Sequence, residues 1–577
     1  MFRKILIANR GEIAVRIIRA CREMGIESVA VYSDTDRDAL HTILADESYH
    51  IGATPANESY LNIGKLIEVA ERSGAEAVHP GYGFLAESVP FARAVTGAGL
   101  VWIGPHPEAI EAMGSKVESR RIMARAGVPI TPGTEDPVES ADSVMDFASA
   151  HGFPVAVKAS SGGGGKGFAV AFDKTEAEAA FERASREGEA YFGDGSVYLE
   201  RYLSSPRHIE IQILRDKHGH AVHLGERDCS IQRRHQKLVE ECPSPALTPE
   251  MREAMGEAAI AAAKAVGYDS AGTCEFLVEG DEFFFLEMNT RVQVEHPVTE
   301  EVTGIDIVKT GIRIAAGEGM PFSQSDVSWR GHAIEVRLNA EDPSNDFAPS
   351  PGTVTAYKEP GGPGVRVDSS LRGPGVVPES YDPLFAKLIV RGSDRDDALS
   401  RLRRATEEFE VEGIATTLPF HRAILDDEAF VSGDYTTGFV AERMEGLEIE
   451  SSSPAVPDDS PEKEAREVEV EVDGRLFRVK VFGGAEAKGD ATPTRRGGGN
   501  RRRASVSEGT VAAPMQGTIV RLLVEEGDEV EADEAVCVLE AMKMESEVRS
   551  PKAGKVGKVL VEAGQTVKGG EALVVVE

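Results

Sequence analysis

Short runs of Val, Ile, Leu and Ala alternate along the N-terminal part of the chain with stretches whose apolar positions recur at helical spacing. Arg3 to Ala8 reads as a buried strand, Glu12 to Met24 as an amphipathic helix and Ser28 to Tyr32 as a second strand. Ala75 to Val78 and Leu100 to Gly104 read as two more. This order predicts a parallel, doubly wound sheet over residues 1–113, in an α/β protein. The glycines at its strand ends, as in His79-Pro80-Gly81-Tyr82-Gly83, mark either ligand-binding loops or tight turns. Between 114 and 322 the pattern changes. The strand Phe153 to Lys158 runs into Ala159-Ser160-Ser161-Gly162-Gly163-Gly164-Gly165-Lys166-Gly167, and Phe168 to Phe172 is a strand again. Polar, proline-bearing sequence over 447–510 reads as a linker, interrupted at 467–482 by two short strands around Asp473-Gly474, a hairpin signal.

Residues 511–577 repeat internally: Pro514, Gly517, Gly527, Val530, Glu534, Ala535, Val538 and Glu540 recur 37 positions later, from Pro551 to Glu577. Each copy alternates apolar runs with glycine turns, which predicts an all-β barrel or sandwich of two related halves. The segment joining them, 541–550, is then an exposed hairpin with Lys543 at its tip between Met542 and Met544. A lysine so displayed suits the covalent carriage of a group.

Composition alters this picture mainly through charge. The 577 residues hold 63 basic and 97 acidic side chains, a net charge of −34 spread along the chain. Nucleic acid is a poor partner for such a surface. Dispersed acidity on this scale fits a surface adapted to molar salt, the alternative being an ordinary acidic protein. No apolar run reaches membrane-spanning length, and Met1 to Ala8 is too short for a signal peptide. Cys21, Cys229, Cys242, Cys274 and Cys537 show neither metal spacing nor an even disulfide framework, which points to the reducing cytoplasm.

The glycine run is neither a dinucleotide fingerprint, since a strand and not a helix follows it, nor a P-loop, since Ser160 and Gly167 occupy the wrong positions. It reads as a glycine hairpin whose backbone N–H groups can close over phosphates. Glu275 and Glu287 sit in apolar strands, where an unpaired carboxylate is costly. With Asn289 they form the oxygen-rich set that Mg²⁺ (or Mn²⁺) takes when it also holds nucleotide phosphates.

At two places these residues resemble known families. Ala541-Met542-Lys543-Met544 within its repeat resembles the biotin carboxyl carrier domain, in which a biotin protein ligase makes the lysine biotinyl-lysine; a lipoyl carrier shares the architecture, but two flanking methionines favour biotin. Residues 1 to about 446 are similar throughout to biotin carboxylase, an ATP-grasp enzyme. The motifs are His79 to Gly83, the glycine hairpin, Glu226-Arg227-Asp228-Cys229-Ser230, Arg233-Arg234-His235-Gln236-Lys237 and Glu287 to Thr299. The resemblance implies an N-terminal domain (1–113), an ATP-grasp domain (114–322) and a biotin carboxylase C-terminal domain (323–446), followed by the biotinyl domain. It implies that Lys116, Lys158 and the loop Gly163-Gly164-Gly165-Lys166 hold the phosphates of ATP, that Glu200 and Leu203 line the adenine pocket, and that His208, Gln232 and His235 contact ribose or phosphate. Lys237, Arg291, Gln293 and Val294 would surround bicarbonate with Glu295 as its base, and Arg337 would face the biotin ring. Departures are small: Ser161 stands where many relatives have glycine, and Lys166 where they often have arginine.

The function so implied is ATP- and bicarbonate-dependent carboxylation of biotin on Lys543, for a carboxyltransferase (β) subunit that acts on acetyl-CoA or propionyl-CoA, in a homo-oligomer within a larger complex. Nothing after residue 446 is long enough to be the carboxyltransferase itself. The alternatives are an ATP-grasp ligase with a lipoyl-type carrier, or a non-catalytic carrier, which intact Lys237, Glu295 and Arg337 argue against.

Overall fold

The computed structural model describes every residue except 135, 139, 164–165, 193–194, 448, 450–465, 473–474, 482–509, 514–516, 525, 542–543, 568–569 and 577. The chain forms two compact units, Met1–Ser452 and Ser453–Glu577.

The first unit opens with a parallel sheet of β1 (Lys4–Ile7), β2 (Glu27–Ser33), β3 (Glu47–Gly52), β4 (Ala77–His79) and β5 (Val101–Trp102), in the order β3-β2-β1-β4-β5. Ile5 and Ile7 enter one core with Ile13 and Ile17 of α1 (Gly11–Glu23), while Leu6, Val29 and Val31 enter another. Burial on both faces explains why these strands read as continuous apolar runs. β3 is the strand absent from the expected set: it is an edge strand whose side chains are mostly half-exposed, so its Glu-Ser-Tyr-His stretch carries no apolar signal.

A three-stranded antiparallel sheet, β7-β6-β8, holds the glycine hairpin: β6 (Val155–Gly163), β7 (Lys166–Ala171) and β8 (Val197–Arg201). Gly167 has φ +68°, and a Cβ there would lie 2.6 Å from the Cβ of Ala159, so only glycine fits where the strands cross.

The main sheet has eight antiparallel strands. β9 (Arg207–Arg215), β10 (Ala221–Arg233), β11 (Gln236–Cys242), β12 (Ala271–Glu279) and β13 (Glu282–Asn289) precede β14 (His332–Asn339), β15 (Val365–Ser369) and β16 (Leu384–Gly392), in the order β13-β12-β9-β10-β11-β14-β16-β15. The ladder is continuous through β11 and β14, where Val239 pairs with Val336 and Glu240 with Glu335. Residues on either side of position 322 therefore share one sheet face.

In the second unit, β17 (Arg466–Val472) and β18 (Arg475–Val481) pair around the expected hairpin. The rest of the sequence expected to be linker lies almost wholly outside the described residues. Beyond it come β19 (Thr510–Ala512), β20 (Gly517–Leu522), β21 (Glu529–Val530), β22 (Ala535–Ala541), β23 (Met544–Arg549), β24 (Gly554–Val559), β25 (Thr566–Val567) and β26 (Ala572–Val576). They form two four-stranded sheets, β19-β26-β24-β21 and β23-β22-β20-β25, around one core that includes Ile519, Val536, Leu539, Val556 and Leu573. The repeat period reappears as strand pairs β20/β24, β21/β25 and β22/β26, each pair starting 37 residues apart. The short strands are exchanged: β21 of the first repeat pairs with β24 of the second, and β25 with β20.

Candidate active site

The main sheet has one apolar face and one polar face, and strand alternation decides which side chain goes where. Ile209, Ile211 and Ile213 of β9 enter the core with Cys274, Phe276 and Val278 of β12. His208, Glu210 and Gln212 point the other way, yet they too are buried. A buried polar face requires internal partners, and this one has them. Arg227, fully buried on β10, is bonded to Glu210, to Gln212 Oε1 at 2.8 Å, to Thr299 Oγ1 at 3.0 Å and to Thr273 Oγ1 at 3.1 Å.

Lys237 lies at the start of β11, just after a turn in which Arg234 (φ 47°) and His235 (φ 66°) both adopt left-handed backbone. That conformation costs non-glycine residues roughly 1 kcal/mol or more each and must be held by its surroundings. A second left-handed pair, Asp346 and Phe347, holds it: Arg233 Nη2 lies 2.6 Å and Arg234 Nη2 3.1 Å from the Asp346 carboxylate, and the Arg233 guanidinium stands 5.0 Å over the Phe347 ring.

Glu295 flanks the N-terminus of α2 (His296–Thr303) and is fully buried. Its carboxylate receives Lys237 Nζ at 2.6 Å on one oxygen and Arg337 Nη2 at 2.8 Å on the other. Lys237 also meets Glu210 at 2.6 Å and Glu275 at 3.0 Å. Burial alone would push the Glu295 carboxyl up, but Lys237, Arg337 and Arg227 outweigh it and hold the group well below the usual carboxylate range. Burial would likewise lower Lys237, but Glu210, Glu275 and Glu295 raise it well above the ordinary lysine value. Arg337 continues to Glu240 Oε1 at 2.5 Å. Arg291 donates to Gln293 Oε1 at 2.7 Å and Asn289 Oδ1 at 2.9 Å, with Glu87 3.1 Å from its Nε. Gln293 Nε2 donates to Glu275 at 2.9 Å, and the Val294 carbonyl accepts Lys387 Nζ at 2.7 Å. The arrangement can hold a small anion between Lys237, Arg291 and Arg337 against a carboxylate whose basicity rises as the anion draws those cations away.

Of the residues expected around the nucleotide, His208 does not face an open pocket: its Nε2 lies 2.9 Å from Glu275 Oε2, with both side chains buried. Glu200 is joined to Lys158, and Arg120 Nη1 meets its other oxygen at 2.5 Å, so both carboxylate oxygens are engaged by cations. Leu203 is buried, Gln232 half-buried and His235 exposed. Gly163 stands opposite Lys166 in the β6–β7 register; Gly164 and Gly165, and the side chains of Lys116 and Lys166, lie outside the described residues.

Glu275 and Glu287 face each other across β12 and β13, with Asn289 opposite Thr273. The expectation that two buried carboxylates lack partners needs correction: Glu275 is matched by Lys237 and His208 and accepts Asn289 Nδ2 at 2.8 Å, while Glu287 is exposed. The oxygen donors still suit a hard divalent cation, with Glu287 the accessible member. Lys543 itself lies outside the described residues; β22 and β23, which flank it in sequence, pair with Ala541 opposite Met544.

Glu210, Glu240, Arg120 and Lys387 were not among the expected site residues. For Glu210 the signal was the alternation His-Ile-Glu-Ile-Gln-Ile, which reads as a solvated strand face until the other side of the sheet proves covered.

Family models match four stretches: "Biotin carboxylase, N-terminal domain" at 1–110, "Carbamoyl-phosphate synthase L chain, ATP binding domain" at 115–322, "Biotin carboxylase C-terminal domain" at 335–442 and "Biotin-requiring enzyme" at 509–576. Biotin carboxylase 1 of Bacillus subtilis is 51% identical over 442 residues, 76% of this chain and 98% of its own. The biotin-dependent acyl-coenzyme A carboxylase alpha3 subunit of Mycobacterium leprae is 48% identical over 561 residues, 94% of this chain and 93% of its own. Among solved structures, the biotin carboxylase domain dimer of Hydrogenobacter thermophilus 2-oxoglutarate carboxylase, in complex with MgADP, ADP and bicarbonate, is similar with a TM-score of 0.69 and 48% identity, covering 77% of this chain and 98% of that one.

Proposed function

This chain belongs to the biotin carboxylase family and carries a biotinyl domain in the same polypeptide, and from that premise we propose that it is the carboxylase and carrier subunit of an acyl-CoA carboxylase. The observation that carries the chemistry is the meeting of Lys237, Glu295 and Arg337 on one buried sheet face. Bicarbonate binds as an anion against Lys237 and Arg291, with Gln293 and Val294 beside it. As it draws Lys237 and Arg337 off Glu295, that carboxylate becomes basic enough to take the bicarbonate proton, and the freed oxygen attacks the γ-phosphate of ATP with ADP as the leaving group. The carboxyphosphate breaks down to CO₂ and phosphate, and phosphate takes the ureido proton of biotin as its nitrogen attacks CO₂. Positioning and charge neutralisation provide most of the acceleration. Lys116, Lys158 and the 163–166 loop hold the phosphates, with Glu200 fixing Lys158. Glu275, Glu287 and Asn289 would hold Mg²⁺ or Mn²⁺, which supplies charge neutralisation of the nucleotide. Arg337, permanently cationic, stabilises negative charge developing on the biotin ring oxygen.

Biotin would be joined to Lys543 by a biotin protein ligase, and the carboxylated carrier would serve a separate carboxyltransferase subunit. One relative whose similarity runs through the carrier as well as the carboxylase is an acyl-CoA carboxylase subunit, and another relative is a propionyl-CoA carboxylase alpha chain, which supports a short acyl-CoA such as acetyl-CoA or propionyl-CoA as the acceptor. We place the assembly, a homo-oligomer within a larger complex, in the cytoplasm and away from nucleic acid; among the described residues no helix is long and apolar enough to cross a membrane. Lys543→Arg tests the reading: avidin binding and partner-dependent acyl-CoA carboxylation should vanish while slow carboxylation of free biotin persists. Acyl-CoA turnover by the unbiotinylated variant would overturn it.

A further inference from the structure

Behind Arg337 lie two carboxyl groups that no step above uses. Glu240 of β11 and Glu335 of β14 are opposed in the antiparallel ladder, and both are fully buried. Arg337 follows two positions along β14, on the same face. Its Nε meets Glu240 Oε1 at 2.5 Å. The second oxygen of Glu240 and both oxygens of Glu335 are buried with no hydrogen-bond partner among the described residues. The charged and titratable groups facing the pair are Arg337 itself, Lys237 from β11, Lys387 from β16, Cys229 from β10 and Glu295 beside the start of α2. Lys387, opposite Arg337 in register, is already engaged by the Val294 carbonyl at 2.7 Å and by Glu12 of α1 at 3.1 Å.

Two adjacent carboxylates away from water cannot both ionise cheaply, because each loses hydration and each repels the other. The donors decide which one keeps a proton. Glu240 accepts a guanidinium N–H and is the carboxylate; Glu335 accepts nothing and is the acid. We propose that Glu335 and Glu240 are a one-proton positioning pair, in which neutral Glu335 and charged Glu240 hold Arg337 between Glu240 and Glu295 so that substrate can draw it forward. A second charge on the pair would clamp Arg337 back against β11. Burial pushes both groups up, Glu335 well above the usual carboxylate range and Glu240, which Arg337 restrains, only to about 7, so Glu335 is the one that keeps its proton to higher pH. The inference rests on Arg337 facing biotin.

Two measurements on the full chain test it. In infrared difference spectra near neutral pH, the C=O band of one buried carboxylic acid should be present in the wild type and absent from Glu335→Gln. In kinetics, kcat/KM for free biotin should fall at alkaline pH in the wild type, and Glu335→Gln should remove or displace that limb. Glu240→Gln should raise the KM for biotin by about 10- to 100-fold, the value of a charge-assisted hydrogen bond, with a smaller effect on bicarbonate-dependent ATP cleavage. An unchanged carboxylic acid band in Glu335→Gln, or the same alkaline limb in both proteins, overturns the pair. A wild type that turns over no biotin would sink the proposed function, while the infrared spectra would still decide the pair. Should Glu335→Gln not fold, a wild-type spectrum with no carboxylic acid band above neutral pH overturns the proposal, as does a band that Glu240→Gln leaves unmoved, whereas a band that Glu240→Gln shifts supports it.

Discussion

Replacing Lys237 by methionine removes a cation that touches three carboxylates, Glu210, Glu275 and Glu295, at 2.6, 3.0 and 2.6 Å. Breaking a buried pair by deleting one partner costs about 3 to 5 kcal/mol, because the remaining charge stays uncompensated. Each of these carboxylates has a second partner, however: Arg227 for Glu210, His208 for Glu275 and Arg337 for Glu295. The loss should therefore sit near the low end, about 3 kcal/mol at neutral pH. Urea unfolding of the two proteins should show a midpoint lowered by roughly half to one molar. The pH dependence adds a check on sign. Lys237 is raised in the fold, so its contribution is complete below its unfolded value of about 10.4 and is lost only as pH rises through the folded value. Glu275 and Glu295 are held low, so their contributions exist above about 4.3 and fade as pH falls through their folded values. Glu210 is instead raised by burial, so the gap between wild type and variant should be flat only above its folded value, up to about pH 10, and close on the acid side. Bicarbonate-dependent ATP cleavage should drop at least about a hundredfold. A variant equal or superior in stability at neutral pH, still cleaving ATP with bicarbonate, would refute the argument that Lys237 balances this cluster.

Three further outcomes are expected. Glu295→Gln should retain MgATP binding, measured by calorimetry, and lose about two to four orders of magnitude of bicarbonate-dependent ATP cleavage. Glu341, buried with one oxygen unpartnered, is pushed up to about 7, so it binds more protons folded than unfolded, and stability should fall as pH rises from about 4.3 to about 7; Glu341→Gln should flatten that slope in urea melts. If the 97 acidic residues mark adaptation to salt, melting temperature and ATP cleavage should rise with KCl towards molar concentration, and identical values at about a tenth molar would reject this.

The legible parts of the chain were those where one physical demand acts alone. Strands buried on both faces appear as apolar runs, a 37-residue repeat appears as paired strands, and a glycine run between strands appears as a hairpin. Glu295, Lys237 and Arg337 were reached through motifs; that they touch one another was not legible, because β11, β14 and α2 are brought together by a ladder spanning a hundred residues of sequence. Glu210 is missed because alternating polar residues look the same whether water or protein covers them, and Glu240 because it stands beside Glu241 in a stretch with no alternation to assign it a face. Glu275 was read as needing a metal because its compensating lysine and histidine lie on other strands.

The exchange of β21 and β25 between the carrier's two sheets makes the pair of repeats the unit of folding. A single copy holds a β20-type strand whose edge is completed only by a β25-type strand from another copy, so alone it would expose an unpaired, largely apolar ladder. Two separate copies, however, could supply each other's missing strand and close as a symmetric dimer. The present domain is then what results when such a dimer is written into one chain: gene duplication replaces association by covalent linkage. The two copies no longer need to be alike, and the segment that joins them, 541–550, occurs once, so the lysine it carries has no counterpart within the repeat.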